Sequence, residues 1–326
     1  MAKYTFETKT TDGTVTITGV NIEEGVTEIV IPSTIDGTPV TSIGESAFED
    51  CTGLTSVVIP SSVTEIGESA FSDCTGLTSV EIPSSVTSIG DWAFYGCSSL
   101  SSVVISDSVT EIGREAFWGC TGLTSVEIPS SVTEIGESAF RGCTGLTSFI
   151  VDEKNPDYQS INGLLCSKDG KTLITCPGGL TSVVIPSSVT EIGDWAFSDC
   201  TGLTSVEIPS SVTSIGGCAF FWCSSLTSVV IPFSVTEIGR EAFLGCTGLT
   251  SVEIPSSVTE IGESAFRGCT GLTSFIVDEK NLDYQSINGL LCSKDGKTLI
   301  TCPEGLTSVE IPSSVTSIGG GGVFQV

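Results

Sequence analysis

The side chains in this chain that could do chemistry are 14 cysteines and 39 aspartates and glutamates, with no histidine in 326 residues. The missing histidine removes the commonest general base and metal ligand. The cysteines are not paired as C-x-x-C, which gives a structural zinc site little support. Cys51, Cys74, Cys97, Cys120 and Cys143 instead fall 23 residues apart, as do Cys200, Cys223, Cys246 and Cys269. Such spacing puts one thiol in the same slot of successive units, as a buried ladder of small apolar groups. Rungs about 4.8 Å apart would still lie within disulfide reach, so reduced packing and occasional bridges both remain open. The acidic turn Asp152-Glu153-Lys154-Asn155-Pro156-Asp157 offers oxygens for weak calcium binding but lacks the order of an EF-hand loop. Serines and carboxylates otherwise recur as ladders rather than converging on one point. The chain therefore reads as a non-enzyme with no catalytic residues, no metal site and no cofactor.

The elements that position these residues follow from an internal duplication. Residues 54–179 recur as 180–305 with 12 differences, and each block holds four units of 23 residues and one of 34 (146–179 and 272–305). A fixed period in this range marks a solenoid. In the unit from Leu54 to Gly76, numbered 1 to 23, apolar residues stand at positions 1, 4, 6, 10, 13, 17, 18 and 21. Alternation around Val57 and Ile59 predicts a strand that stops at Pro60, which cannot donate a ladder hydrogen bond. A second short strand is expected over Val63 to Ile66, closed by Gly67 at a corner needing positive φ. Glu68 to Cys74 suits one helical turn with Ala70, Phe71 and Cys74 inward. Only stacking can bury these side chains, at roughly 1.5–3 kcal/mol for each large one. The predicted fold is a right-handed solenoid, mostly β with a short helical turn per coil, elongated or curved and about 50 Å long at sheet spacing.

The ends depart from the repeat. Residues 1–25 predict an N-terminal β-hairpin cap, turning through Asp12-Gly13, ahead of a solenoid over 26–326. In the long units, Asp169-Gly170 and Asp295-Gly296 predict hairpins protruding from one edge, as spacers or as contact loops bearing Lys168, Lys171, Lys294 and Lys297. The last coil, 306–326, dissolves into Gly319 to Gly322 and lacks the Ala-Phe pair and cysteine. Open strand edges there favour end-to-end self-association.

Charge limits the partners. A net charge of −27 with only 12 lysines and arginines argues against nucleic acid and anionic membranes. No apolar run approaches the ~18 residues of a membrane span, so no membrane insertion is expected. The opening Met1 to Phe6 has no apolar core of signal-peptide type, as expected either of a chain made in the cytoplasm or of one whose leader has been removed. Position 5 points away from the core and alternates Val58, Glu81, Val104, Glu127, Ile150, then Val184, Glu207, Val230, Glu253, Ile276. This stripe either keeps like charges apart on a soluble sheet or forms an apolar and acidic binding face.

Specificity must come from departures between the copies. Seven of the 12 differences fall at positions 15, 16, 19 and 20, on the outer side of the predicted helical turn. There the first block carries Trp92, Tyr95, Trp118 and Arg141, and the second Trp195, Phe221, Trp222, Leu244 and Arg267, including all four tryptophans. Large aromatics and arginine are enriched at binding hot spots. The competing reading is drift at exposed positions, with the rings tucked against neighbouring coils. Cys218, also at position 16, is expected to be the most exposed and reactive thiol.

The recurring run Leu-x-x-Val-x-Ile-Pro-x-x-Val-x-x-Ile-Gly-x-x-Ala-Phe-x-x-Cys, from Val26 to Gly319, resembles the BspA-like leucine-rich repeats of bacterial and some protozoan surface proteins. The opening Tyr4 to Gly19 and Ile31-Pro-Ser-Thr-Ile-Asp-Gly resemble that family's entry segment. The resemblance implies an extracellular or cell-surface solenoid that binds host proteins, other cells or matrix, with no catalytic residues to carry over. The expected function is a non-enzymatic binding or adhesion module recognising a protein or glycan over an extended face. The alternative is a structural, self-associating spacer without a specific ligand.

Overall fold

A computed structural model describes residues 3–319, so the final glycine-rich segment read above lies largely outside the described residues. The chain forms two compact units, Met1–Gly163 and Leu164–Val326, dividing inside the first long repeat.

The first unit opens with an antiparallel hairpin, Tyr4–Thr11 against Thr14–Ile22. Asp12 and Gly13 both take positive φ at its turn, as a two-residue type I′ connection requires. Thr14–Ile22 then pairs in parallel with Thr38–Ile43. That pairing seeds a ladder running through Glu65–Ile66, Ser88–Ile89, Glu111–Ile112 and Glu134–Ile135. A second side of each coil is a parallel ladder of Glu28–Val30, Ser56–Val58, Ser79–Glu81 and Ser102–Val104, followed by the separate pair Ser125–Ile128 and Ser148–Val151. The second unit repeats the plan, from Thr172–Thr175 through Glu191–Ile192 and Ser214–Ile215 to Glu237–Ile238 and Glu260–Ile261.

The third side is not the predicted helical turn. Among the described residues no helix forms; linked turns run from position 15 to position 20. Position 16 takes positive φ in residue after residue, as at Ser69, Trp92 and Glu115, and position 20 does so at Asp73, Gly96 and Gly119. These left-handed residues break an α-helix and turn alternate N–H groups toward the next coil. Ser69, Phe71 and Asp73 donate to the carbonyls of Asp91, Ala93 and Tyr95 at 2.9, 2.7 and 2.6 Å. The intervening N–H groups of Ala70, Ser72 and Cys74 bond back within their own coil. Stacking thus outcompetes the local helix because it satisfies the same donors while burying the Ala-Phe-Cys face.

The corner glycine has a different cause from the one expected. Gly67 and its equivalents do not take positive φ. They are glycine because backbones touch there: a Cβ on Gly90 would lie 2.6 Å from the Gly67 carbonyl carbon.

Inside, each repeat position becomes a column. Phe71, Phe94, Phe117 and Phe140 stack nearly parallel with centroids 5.2–5.4 Å apart. Phe48 extends the column below, and Phe149 closes it edge-on. Phe197, Phe220, Phe243 and Phe266, closed by Phe275, repeat it in the second unit. The cysteine ladder lies beside them with every thiol free. Its S–H groups donate to phenylalanine carbonyls of the preceding coil, as Cys97 does to Phe71 at 3.1 Å. Outside the core, threonine hydroxyls repeat the step, Thr78 donating to the Thr55 carbonyl at 3.1 Å and Thr110 to the Thr87 carbonyl at 3.2 Å.

The long repeats do not project hairpins from an edge. Leu164, Leu165, Cys166 and Leu173 are buried, and Thr172–Thr175 supplies a rung of the ladder. Only the tip, with Lys168 and Lys171, is exposed. Tyr158 ends the ladder of the first unit: its hydroxyl accepts from Ile135 N–H at 3.1 Å and donates to the Thr133 carbonyl at 3.4 Å. Tyr284 does the same for Ile261 and Thr259, and the Tyr4 hydroxyl binds both backbone groups of Val30. In the acidic turn the group that organises the loop is Asn155, which is fully buried. Its Nδ2 donates to the Pro129 and Val132 carbonyls, and its Oδ1 accepts from Asp157 and Tyr158 N–H, all at 2.8–2.9 Å. Asp152 is exposed, and its Oδ1 accepts from Lys154 N–H at 2.8 Å. No group of three metal-ligating side chains occurs among the described residues.

Two outcomes are expected. Asn281→Ala, which removes the same four bonds in the second unit, should cost about 3 kcal/mol or more in urea unfolding. The second concerns pH. Burial pushes Cys97 and Cys143 up from 9.0 to about 12 and Cys166 to about 11. A thiol ionising more easily when unfolded gives stability that is complete below pH 9 and is lost as pH rises toward the folded values. Each such thiol should add a slope of about 1.4 kcal/mol per pH unit. Unfolding curves between pH 8 and the low teens should be flatter for a Cys97→Ala, Cys143→Ala chain.

Candidate functional site

The ridge residues follow from the turn side of the coils. Positions 15, 16, 19 and 20 lie outside the Ala-Phe-Cys columns, so their side chains line up from coil to coil along the surface. In the first unit Tyr95 and Trp118 stack with centroids 4.5 Å apart and planes 9° from parallel. Trp92 Nε1–H donates to Glu115 at 3.2 Å, and the Arg114 guanidinium lies over the Trp92 ring, 5.2 Å from its centroid. Arg114 also pairs with Glu115 at 3.3 Å. Burial, with Asp73 and Glu115 nearby, pushes the Tyr95 hydroxyl up, while the Arg141 guanidinium opposes the shift. Trp92, Tyr95, Trp118 and Arg141 are half-buried rather than solvated.

The second unit brings Trp195, Phe221 and Trp222 together with tilted rings, 5.4 Å and 6.2 Å apart. Trp222 covers Gly245 and stays 48% exposed. Arg267 is exposed and Leu244 half-buried, further along the ridge. Trp92, Trp195 and Trp222 all take positive φ, at 54°, 60° and 55°. A bulky residue in that region costs roughly 1–2 kcal/mol and is concentrated at functional positions.

The units differ at seven ridge positions, and the exchange at position 16 of the first coil changes the shape of the surface. In the first, Ser69 and Ser72 precede Trp92 and Tyr95, and the step in side-chain size leaves a shallow cavity of about 460 Å³. The carboxylates of Glu49, Asp73 and Glu115 border it, as does Arg114. In the second, Trp195 stands where Ser69 stands in the first. Comparing the blocks could not single out Arg114 and Glu115, because the same pair recurs as Arg240 and Glu241. A second cavity, about 420 Å³, is walled by Ile261, Phe266 and Ile300 where the long repeat is short on its turn side. None of the residues that differ between the blocks lines it.

Cys218 is not the exposed thiol the ridge position suggested. It is only 8% accessible, because its left-handed backbone lays the side chain along the next coil, where the thiol meets Glu241 at 3.7 Å. The partly accessible thiols are Cys51 and Cys302. A hydrogen bond from Cys74 lowers Cys51, outweighing the opposing effect of burial.

The profile described as BspA type leucine rich repeat region matches in six copies, over residues 41–160 and 174–288. The chain belongs to the BspA-type leucine-rich repeat family. Among solved structures it is similar to a leucine-rich cell surface protein of Faecalibacterium prausnitzii, at 30% identity, with TM-score 0.56 and coverage of 85% of this chain and 94% of that one. A leucine-rich repeat protein of Bacteroides ovatus is 27% identical at TM-score 0.57, covering 98% and 90%. The pneumococcal vaccine antigen PcpA shares the fold at TM-score 0.67 and 22% identity, covering 98% and 92%. No curated protein matches the chain. No helix among the described residues is long and apolar enough to cross a membrane.

Thiol labelling checks the site geometry. With a maleimide under native conditions, mass spectrometry should find Cys51 and Cys302 modified first. Cys218 should stay unmodified until the chain is unfolded.

Proposed function

We propose that this BspA-type solenoid is a non-enzymatic binding or adhesion module, working at a cell surface or outside the cell. It would hold a protein or glycan partner along the turn-side ridge. The observation that carries this reading is where the near-identical copies diverge: the Phe, Ala and Cys columns are unchanged, while the ridge exchanges Ser69 for Trp195, Trp92 for Cys218 and Trp118 for Leu244. Selection for stacking alone would not place tryptophans on strained backbone at half-exposed positions. Its likeness to a bacterial cell surface protein supports the location.

A structural, self-associating role is the second reading, and one patch favours it. In the coil 226–248 the first-strand ladder lapses, leaving Val230 77% and Phe233 67% exposed, with Phe233 standing where the first block has Asp107. Exposed apolar groups beside an unpaired segment invite another chain.

The readings predict opposite results. Changing Trp92, Trp118, Trp195 and Trp222 to serine should abolish capture of intact host or bacterial cells by the immobilised chain, with the circular dichroism spectrum and monomer mass unchanged. Undiminished capture would overturn the ridge assignment. If self-association is the function, Phe233→Asp should instead convert oligomers to monomers in size-exclusion light scattering while the tryptophan variant leaves them intact.

A further inference from the structure

We infer that the ledge between coils 54–76 and 77–99 receives a cationic side chain, an arginine or lysine of a partner polypeptide. This deepens the binding-module reading and rests on it. Three features converge. The first is shape: small Ser69 and Ser72 in one coil give way to Trp92 and Tyr95 in the next, leaving an aromatic wall above a cavity of about 460 Å³. Trp118 stacks on Tyr95 and Arg114 lies over Trp92, both from the coil 100–122. The Trp92 and Tyr95 rings and both serines line the cavity.

The second is charge. Among the described residues lining the ledge, Glu49, Asp73 and Glu115 are carboxylates, and Arg114 is already engaged with Glu115 at 3.3 Å. The chain around it carries a net charge of −27, so cations are drawn toward it and anions repelled. The third is a precedent in the same site. Arg114 over the Trp92 ring, with a carboxylate beside it, is the arrangement an incoming guanidinium would make on the open side. A partner's arginine would lay its flat group along Trp92 and Tyr95 and direct its N–H groups at Asp73 or Glu49. A lysine would use its stem against the rings and its ammonium on the same carboxylates. A sulfated or phosphorylated ligand would meet three carboxylates and is disfavoured.

The second unit supplies its own control. At the position of Ser69 it carries Trp195, whose ring lies 5.4 Å from Phe221, the counterpart of Tyr95. Its backbone φ of 60° matches the 54° of Ser69, so a tryptophan at position 16 is compatible with the fold.

The test is a titration of the full chain with acetyl-Gly-Gly-Arg-Gly-Gly-amide, followed by saturation-transfer NMR, beside the same peptide carrying lysine or glutamate. The arginine and lysine peptides should bind, more weakly as salt is raised, and the glutamate peptide should not. Ser69→Trp leaves net charge unchanged, so it separates the ledge from general attraction to an acidic protein; it should weaken binding about tenfold or more. Asp73→Asn should weaken binding and reduce its salt dependence. Equal binding by wild type and Ser69→Trp would overturn the proposal, as would no peptide binding at all or displacement of the peptide by an uncharged oligosaccharide. Those failures leave the ridge reading to its own test, because cell capture by the four-tryptophan variant is scored without any peptide.

Discussion

The fold depends on one constraint: every coil must offer the next the same backbone groups at the same height. On the turn side, N–H groups of alternate residues reach across to the following coil, from Phe48 to Ala70, Phe71 to Ala93 and Phe94 to Ala116, each at 2.7–2.8 Å. The same chain spacing sets the phenylalanine stacking, the thiol-to-carbonyl bonds and the threonine ladders. Because backbone donors buried without partners are costly, a coil that broke register would lose all of these together. This is why the 23-residue spacing tolerates so few departures, and why the corner stays glycine where two backbones nearly touch.

The constraint also decides where a solenoid can end or change. A long repeat cannot continue the short ladder with its own coil, so a tyrosine hydroxyl substitutes for the missing peptide groups. Tyr158 and Tyr284 each accept from one N–H and donate to one carbonyl of the last rung. Beneath each stands a buried asparagine whose amide replaces the backbone of a missing turn. The lysine-tipped hairpins are a consequence of the same substitution, since their second strands supply the next rungs.

What remains free to vary is narrow. Side chains at positions 15, 16, 19 and 20 lie outside the columns yet are carried past one another at stacking distance. Aromatic residues there pair with the coil above, as Tyr95 does with Trp118. A small residue followed by a large one makes a ledge, and a large one in its place fills it. A single exchange, serine for tryptophan, therefore changes the surface without disturbing the core. The scaffold thus separates the residues that hold the coils together from those that are free to vary.

The sequence by itself determined the repeat, the family, the inward columns, both Asp-Gly hairpin turns of the long repeats, the cap hairpin and the ridge on which the copies diverge. Each of these is written in periodicity or turn chemistry, which act over a few residues and repeat many times. It pointed to a helix over Glu68 to Cys74, a positive φ at Gly67, a protruding hairpin at Asp169-Gly170 and an exposed Cys218. All four depended on what the neighbouring coil does. The helix yields to inter-coil hydrogen bonds, the glycine answers a backbone contact, the hairpin becomes a rung, and Cys218 lies under Glu241. The ledge belongs to the same class: Ser69 and Trp92 are 23 residues apart in the chain, and only stacking turns their difference in size into a cavity.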